Sequence, residues 1–442
     1  MNDPDQGLIG AEGPSTVYTD GLAAAALDEK RWIRHSRLAS NTRLICFAAL
    51  LIVAWLAFGT HRLEALWIVL PAIVFAALVI IHDRILHREA RATRVRRFFE
   101  DGLARLEDRW AGLGHSGDQY RNPNHLYAED LDVFGTGSLF ELLATTKTGP
   151  GSDRLASWLL ESAEADTIRR RQAAVKELRP RLDLRLQMAL AGDESGSASQ
   201  QDALPAWAAA PAAPLPRSTW ILATSVTSLS LVGVALWTLS NAGPAPFVVA
   251  LILQSILGLT LRGRVAPILA AAETPVQSLS RTAALLGCLE SEVESNKVES
   301  ALLQQLRTEL ETTGQTPSQE LEALRRLVDR RDARANQFFA PIAALLMWGT
   351  HTALALEKWR ARCGPRLSVW IEAAGEIEAL CALASFAYEH PDDIFPEIVE
   401  SETIFDGTGL GHPLLPADRS VRNDLRLSAG AKQPQGLVMS GS

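Results

Sequence analysis

The chain has 442 residues, with 43 Lys and Arg against 51 Asp and Glu and a formal net charge of −8. That balance excludes a protein built as a whole around polyanion binding, and the length accommodates two or three domains. Four widely spaced cysteines (Cys46, Cys288, Cys363, Cys381) form no C-x-x-C pair, which excludes a zinc site or disulfide framework and fits free thiols in a reducing cytoplasm.

Residues 1–43 read as a polar N-terminal segment, acidic up to Asp28, and not as a signal peptide, because the first apolar run starts after residue 43. Leu44 to Thr60 carries no charged residue; after His61, Arg62 and Glu64, the run Ala65 to Ile81 is again uncharged. Each run is close to the roughly 17-residue lower limit for a spanning helix, so 44–81 is read as a first transmembrane hairpin. Residues 82–124 read as a charged helix from Arg84 to Trp110, continuing out of the span, followed by a Gly/Asn/Pro-rich linker. A juxtamembrane basic helix attracts anionic lipid by about 1 kcal/mol per exposed Arg. The plainer reading of the same arginines is a solvated cytoplasmic face.

Residues 125–217 read as helices. Ser138 and Glu141 form a capping box that starts one helix, and Gly149-Pro150-Gly151 stops it. A second starts at Ser152 and carries Leu155, Trp158, Leu159 and Leu160. A third, Ile168 to Arg179, is capped by Asp166 and ends before Pro180. Its Arg169, Arg170 and Arg171 offer a basic surface for phosphate, or a merely solvated face. From Ser218 to Leu261 there is no charged residue, and Asn241 to Pro246 divides this stretch into halves of about the 20 residues a bilayer needs. Residues 218–261 are therefore a second transmembrane hairpin.

Residues 262–400 are helical by periodicity, in three stretches: Ala270 to Leu310, Ser318 to Arg362 and Pro365 to His390. Inside them Phe338 to Leu356 is apolar enough to suggest a fifth span. Pro341, Gly349, His351 and flanks of mixed charge favour a buried core helix instead. Residues 401–442 change texture, with short strands at Thr403–Phe405, Asp424–Leu427 and Gly436–Met439 between Gly/Pro/Asp turns. The fold class expected is mainly α: four transmembrane helices in two hairpins, a cytoplasmic helical domain, and the start of an α/β unit at the C-terminus.

Flanking charge sets the orientation. Lys30, Arg31, Arg34, Arg37 and Arg43 precede the first span, and Arg84, Arg88 and Arg91 follow the second. Arg217 precedes the third, and Arg262 and Arg264 follow the fourth. The positive-inside rule then places both termini and both large polar regions in the cytoplasm of a multi-pass protein of the inner (plasma) membrane.

Several runs, in this order, resemble the MutS mismatch-repair family. They are Gly137-Ser138-Leu139-Phe140-Glu141-Leu142-Leu143, Thr146-Lys147-Thr148 with Gly151, Arg154 to Leu160, and Ile168 to Val175. They are similar to that family's core domain, which reads a leucine-rich helix, a T-x-T-x-x-G turn, an R-x-L-x-x-W-L-L helix and an I-x-x-R-x-x-A-V helix. Residues 262–400 would then hold core and lever helices. Gly411-His412-Pro413 and Asn423-Asp424-Leu425-Arg426-Leu427 look like the start of the ATPase domain.

The resemblance implies ATP and Mg²⁺ as family cofactors, DNA as a family ligand and homodimerisation through the ATPase domain. It puts Val421 and Asn423 near the adenine, and makes His412 and Pro413 a family motif. It makes Gly441 and Ser442 the first residues of a G-x-x-x-x-G-K-[ST] phosphate loop, whose Lys and hydroxyl are not among the 442 residues. On this reading the chain is a membrane-anchored member that stops within the ATPase, holds no cofactor of its own and has membrane lipid as a partner. Whether it is an enzyme is left open, and no catalytic or metal-binding residue is assigned. A membrane scaffold working through its helical domain is the alternative. A transporter is disfavoured, because the spans carry no internal acid, base or broken-helix signal.

Overall fold

The computed structural model describes residues 13–60, 62–191, 207–208, 210, 216–239, 243–271, 282–288, 290, 298–310, 314–333, 340–400, 403–416 and 418–428. It is mainly helical, with one two-stranded sheet among the described residues. The chain forms two compact units. One comprises residues 1–144, 179–190 and 383–442, the other 145–178 and 191–382.

In the first unit, α1 (Pro14–Ala54) and α2 (Val69–Leu106) pair as a long hairpin. Both outrun their apolar segments. Much of the N-terminal polar segment is thus helical and continuous with the first span, and the arginine-rich stretch prolongs the second as far as Leu106, four residues short of the expected Trp110. Leu44, Ile45, Trp55, Phe58, Leu66 and Trp67 are exposed along the charge-free part. So large a contiguous apolar surface is untenable in water and is the expected face of a helix in lipid.

At the polar end, Tyr18, Ala25 and Phe99 form a core with Leu22, Val95, Phe98, Leu182, Leu186 and Tyr388. Tyr18 is 1% exposed. Gly21 lies under the Phe99 ring and Gly102 under the Tyr18 ring, where a Cβ would overlap the neighbouring aromatic. The Tyr18 hydroxyl donates to Glu389 Oε1 at 3.1 Å. Arg105 donates to both oxygens of the same carboxylate, at 2.8 and 2.6 Å. This bidentate pair ties α2 to the end of the longest helix.

Ser138 caps α3 (Leu139–Leu143), accepting from the Glu141 N–H at 3.2 Å. The reciprocal half of the capping box is replaced. The Glu141 carboxylate accepts from the N–H groups of Gly112 (2.9 Å), Gly114 (3.0 Å) and Gly137 (2.6 Å), so it organises the glycine-rich linker. Phe140, Phe134 and Tyr120 pack beside it.

In the second unit, α4 (Gly149–Leu160) begins three residues before the expected Ser152. Pro150 sits in the first turn, where it costs no hydrogen bond, and Thr148 caps the helix by accepting from Gly151 N–H. Next comes α5 (Ala165–Leu178), followed in the first unit by α6 (Leu182–Ala191). The spans α7 (Arg217–Leu239) and α8 (Ala245–Ala271) form the second hairpin, with exposed aliphatic faces and no charge between Arg217 and Arg262. They approach closely at Gly233, which lies against the Phe247 backbone, as small residues permit between membrane helices. Among the described residues, four helices are long and apolar enough to cross a membrane: Pro14–Gly59, Leu66–Leu106, Ser218–Leu239 and Ala245–Ala271.

Beyond them lie α9 (Ala301–Leu310), α10 (Pro317–Ala333), α11 (Ala340–Leu345) and α12 (Trp348–Glu389). Glu177 caps α9 from outside, accepting from the N–H groups of Glu299 (3.0 Å) and Ser300 (2.7 Å). The expected helix start at Pro365 is not a start. Pro365 lies inside α12, which forgoes one backbone bond there and stays intact because it is packed over much of its length. The expected continuous helix from Ser318 to Arg362 is instead broken at Leu346–Met347. The expected strand Gly436–Met439 lies outside the described residues.

Candidate functional site

Three groups of residues carry chemistry. The first is the hairpin of β1 (Ile404–Leu410) and β2 (Asn423–Ser428), which pair antiparallel from Ile404↔Ser428 to Leu410↔Asn423 with an irregularity between Gly407 and Leu410. Gly409 takes φ +63°, a conformation that favours glycine, and its N–H donates to Asp424 Oδ1 at 2.7 Å. His412 and Pro413 open the connecting loop and are exposed. The His412 Nδ1 accepts from the Leu414 N–H at 3.2 Å, so the side chain shapes its own turn. Val421 is 79% exposed, and Asn423, also exposed, donates to the Val421 carbonyl at 3.2 Å. The hairpin thus brings Val421 and Asn423 together on an open surface. Gly441 and Ser442 lie outside the described residues.

The second group surrounds Glu378, a buried carboxylate on α12. Its Oε1 accepts from the Lys147 N–H at 2.9 Å, and its Oε2 accepts from the Thr148 hydroxyl. Gly151 leaves no space for a Cβ beside this carboxylate, and Gly375, one turn earlier, lies against the Pro150 backbone. Thr146 and Ser152 share a hydroxyl bond of 2.8 Å across the same turn. Burial pushes the Glu378 carboxyl above the ordinary range, while the bonds from Thr148 and Lys147 pull it back. The geometry is that of a clasp joining a turn to a helix. Through these two bonds the carboxylate holds the turn on the helix.

The third group is the basic run on α5. Arg169 pairs with Asp166 at 3.1 Å at the surface, and Arg170 reaches Thr167 at 3.4 Å. Arg171 turns inward: its guanidinium lies 4.1 Å from the Trp158 ring centroid, a cation–π contact. Burial, with Arg154 and Arg170 nearby, lowers its pKa despite the attraction of Glu376. Only Arg169 and Arg170 of the run therefore face solvent. Trp158 itself is half-buried rather than a core anchor.

Among the described residues no group of three or more His, Cys, Asp or Glu could hold a metal ion. None of the four cysteines, all of them among the described residues, is in a disulfide. The Glu378 clasp was legible only as an acid interrupting the apolar sequence Ile377-Leu380. The signal for Gln254, described below, was an amide isolated among aliphatic residues of a span. Comparison with protein-family models, with curated proteins and with solved structures finds no match to this chain.

Proposed function

We propose that the chain is a membrane-anchored MutS-like protein of the inner membrane, with both termini cytoplasmic, whose helical domain is its working part. The Glu378 clasp is the observation that carries the reading. It joins the Thr146-Lys147-Thr148 turn to α12, and these are the two stretches that the resemblance assigns to a core domain and its lever helices. The exposed apolar faces of four helices with arginine flanks support the anchoring. The hairpin supports the ATPase assignment. A two-stranded ribbon is marginal alone, and this one exposes Phe405, Leu410 and Val421, apolar groups suited to further sheet.

The associated activity is DNA binding, through Arg169 and Arg170. It is weak, because two exposed arginines on an acidic chain make few phosphate contacts. Vesicles carrying the protein and labelled duplex DNA test this by flotation. Duplex should be retained at low salt, equally for matched and mismatched sequences. It should be released as salt rises, with a log–log slope of roughly −0.9 per phosphate contact. Arg169→Ala with Arg170→Ala should abolish retention. Vesicles that retain no DNA at any salt would refute the DNA activity and leave the scaffold role. A mismatch preference surviving physiological salt would refute the weak, sequence-independent mode.

A further inference from the structure

The apolar stretch containing α11 and the start of α12 has no Asp, Glu, Lys or Arg between Phe338 and Leu356. Its break falls at Met347, which takes φ +44°, a strained conformation for a residue with a side chain. A helix that stops this way leaves carbonyls at its C-terminus short of intrahelical partners. One side chain meets two of the last ones: Gln254 Nε2 on α8 donates at 2.5 Å to the Ala344 carbonyl, which also accepts from the Met347 N–H at 3.1 Å, and at 2.9 Å to the Leu345 carbonyl. The Gln254 Oε1 in turn accepts from Ser230 of α7 at 2.7 Å. Ser230 is fully buried and Gln254 nearly so.

The depth of Gln254 follows from its span. It precedes Arg262, the first charge on the cytoplasmic flank, by about 12 Å at ~1.5 Å per residue. Half of a hydrocarbon core is about 15 Å, so Gln254 sits near the bilayer centre. An unpaired amide would be costly there, and so would an open helix end. Each group offsets the other's cost. The cleft of about 830 Å³ between these elements is lined on α8 from Leu251 to Ala270, and opposite by residues between Ala340 and Thr350. The pair therefore runs beside the cytoplasmic half of the span. Further along, α12 meets aqueous structure. The Trp359 Nε1–H donates to the Glu320 carbonyl at 3.0 Å, and Arg362 pairs with the Glu320 carboxylate at 2.6 Å, on a helix that exposes Arg326 and Asp329.

We propose that residues 340–356 form a re-entrant element. It enters the cytoplasmic leaflet along α11, turns at Leu346–Met347 at the bilayer centre, where Gln254 caps it, and returns along α12. Its partner is the hydrocarbon of that leaflet, met by exposed residues such as Ile342. The assignment to the cytoplasmic leaflet rests on the orientation given above; the penetration itself does not.

The test uses the full chain in nanodiscs, with the four native cysteines replaced by serine and a spin label at Ile342→Cys or Lys358→Cys. Collision with oxygen and with a water-soluble nickel chelate reads depth. Impermeant thiol labelling of intact cells carrying Pro244→Cys, Asp130→Cys, Lys358→Cys or Asp392→Cys reads sidedness. A re-entrant element gives oxygen contact and little nickel contact at 342, nickel contact at 358, and 130, 358 and 392 on one side of the membrane. Nickel contact at 342 equal to that at 358 would make the segment an aqueous core helix and overturn the proposal. So would 358 and 392 on the side opposite 130, which marks a full fifth span. If 130, 358 and 392 all label from outside and 244 does not, the re-entrant element stands and the cytoplasmic orientation fails.

Discussion

Replacing Glu378 by alanine removes the acceptor that holds the Thr146–Gly151 turn on α12. The Lys147 N–H and the Thr148 hydroxyl, both partly buried, lose their partner. Leaving a buried donor unsatisfied costs about 1–3 kcal/mol, and partial burial puts these two at the lower end, about 2 kcal/mol together. At about 2–4 °C per kcal/mol for a unit of this size, the melting temperature of the second unit should fall by roughly 4–8 °C. Glu378→Gln keeps an acceptor for the Lys147 N–H but sets an amide donor against the Thr148 hydroxyl, which then has to accept, and should recover about half of the loss.

The pH dependence has a defined sign. Burial raises the folded carboxyl's pKa above its unfolded value, so folding takes up protons here. The contribution is complete below the unfolded value and declines as pH rises through the folded one. The Gln variant, which cannot ionise, should lack that decline. Thermal unfolding in detergent at several pH values, together with tryptic cleavage after Lys147, measures all of this. A Glu378→Ala protein with unchanged melting and an uncleaved Lys147 would refute the clasp.

Arg105→Ala should cost about 3–5 kcal/mol, because it leaves the Glu389 carboxylate buried with only Tyr18 as a partner. Tyr18→Phe, which removes one bond to that carboxylate, should cost about 1.5–3 kcal/mol. Denaturant unfolding monitored in the first unit distinguishes the two, and equal small losses would argue against the buried pair. Thiol labelling from outside intact cells should modify Pro244→Cys and spare Asp130→Cys and Asp392→Cys; the reverse pattern rejects the orientation. Purified residues 1–442 should show no Mg²⁺-dependent ATPase activity above an empty preparation, because no G-x-x-x-x-G-K-[ST] run occurs among them. An activity lost on Asn423→Ala would refute that.

The sequence by itself determined what depends on near neighbours. Runs without charge gave the four long apolar helices, since a single Arg or Asp in such a run would be prohibitive in lipid. Ser138 fixed the start of α3, because a cap acts over one turn. Turn residues around Gly409 and His412 set the hairpin.

The tertiary structure decided every partner far along the chain. Glu141 had the spacing of a capping box, yet its carboxylate serves Gly112, Gly114 and Gly137, since three N–H groups compete better than one. Arg171 reads like Arg169 and Arg170 until Trp158 comes within reach of its guanidinium. Thr148, not Ser152, starts α4 because Glu378, 230 residues away in sequence, steadies its hydroxyl. Met347 breaks a helix whose local pattern would continue, and Gln254 makes that break tolerable. Local propensities differ by tenths of a kcal/mol per residue. A buried polar group without a partner costs several times more, so these distant pairings override what the local sequence prefers.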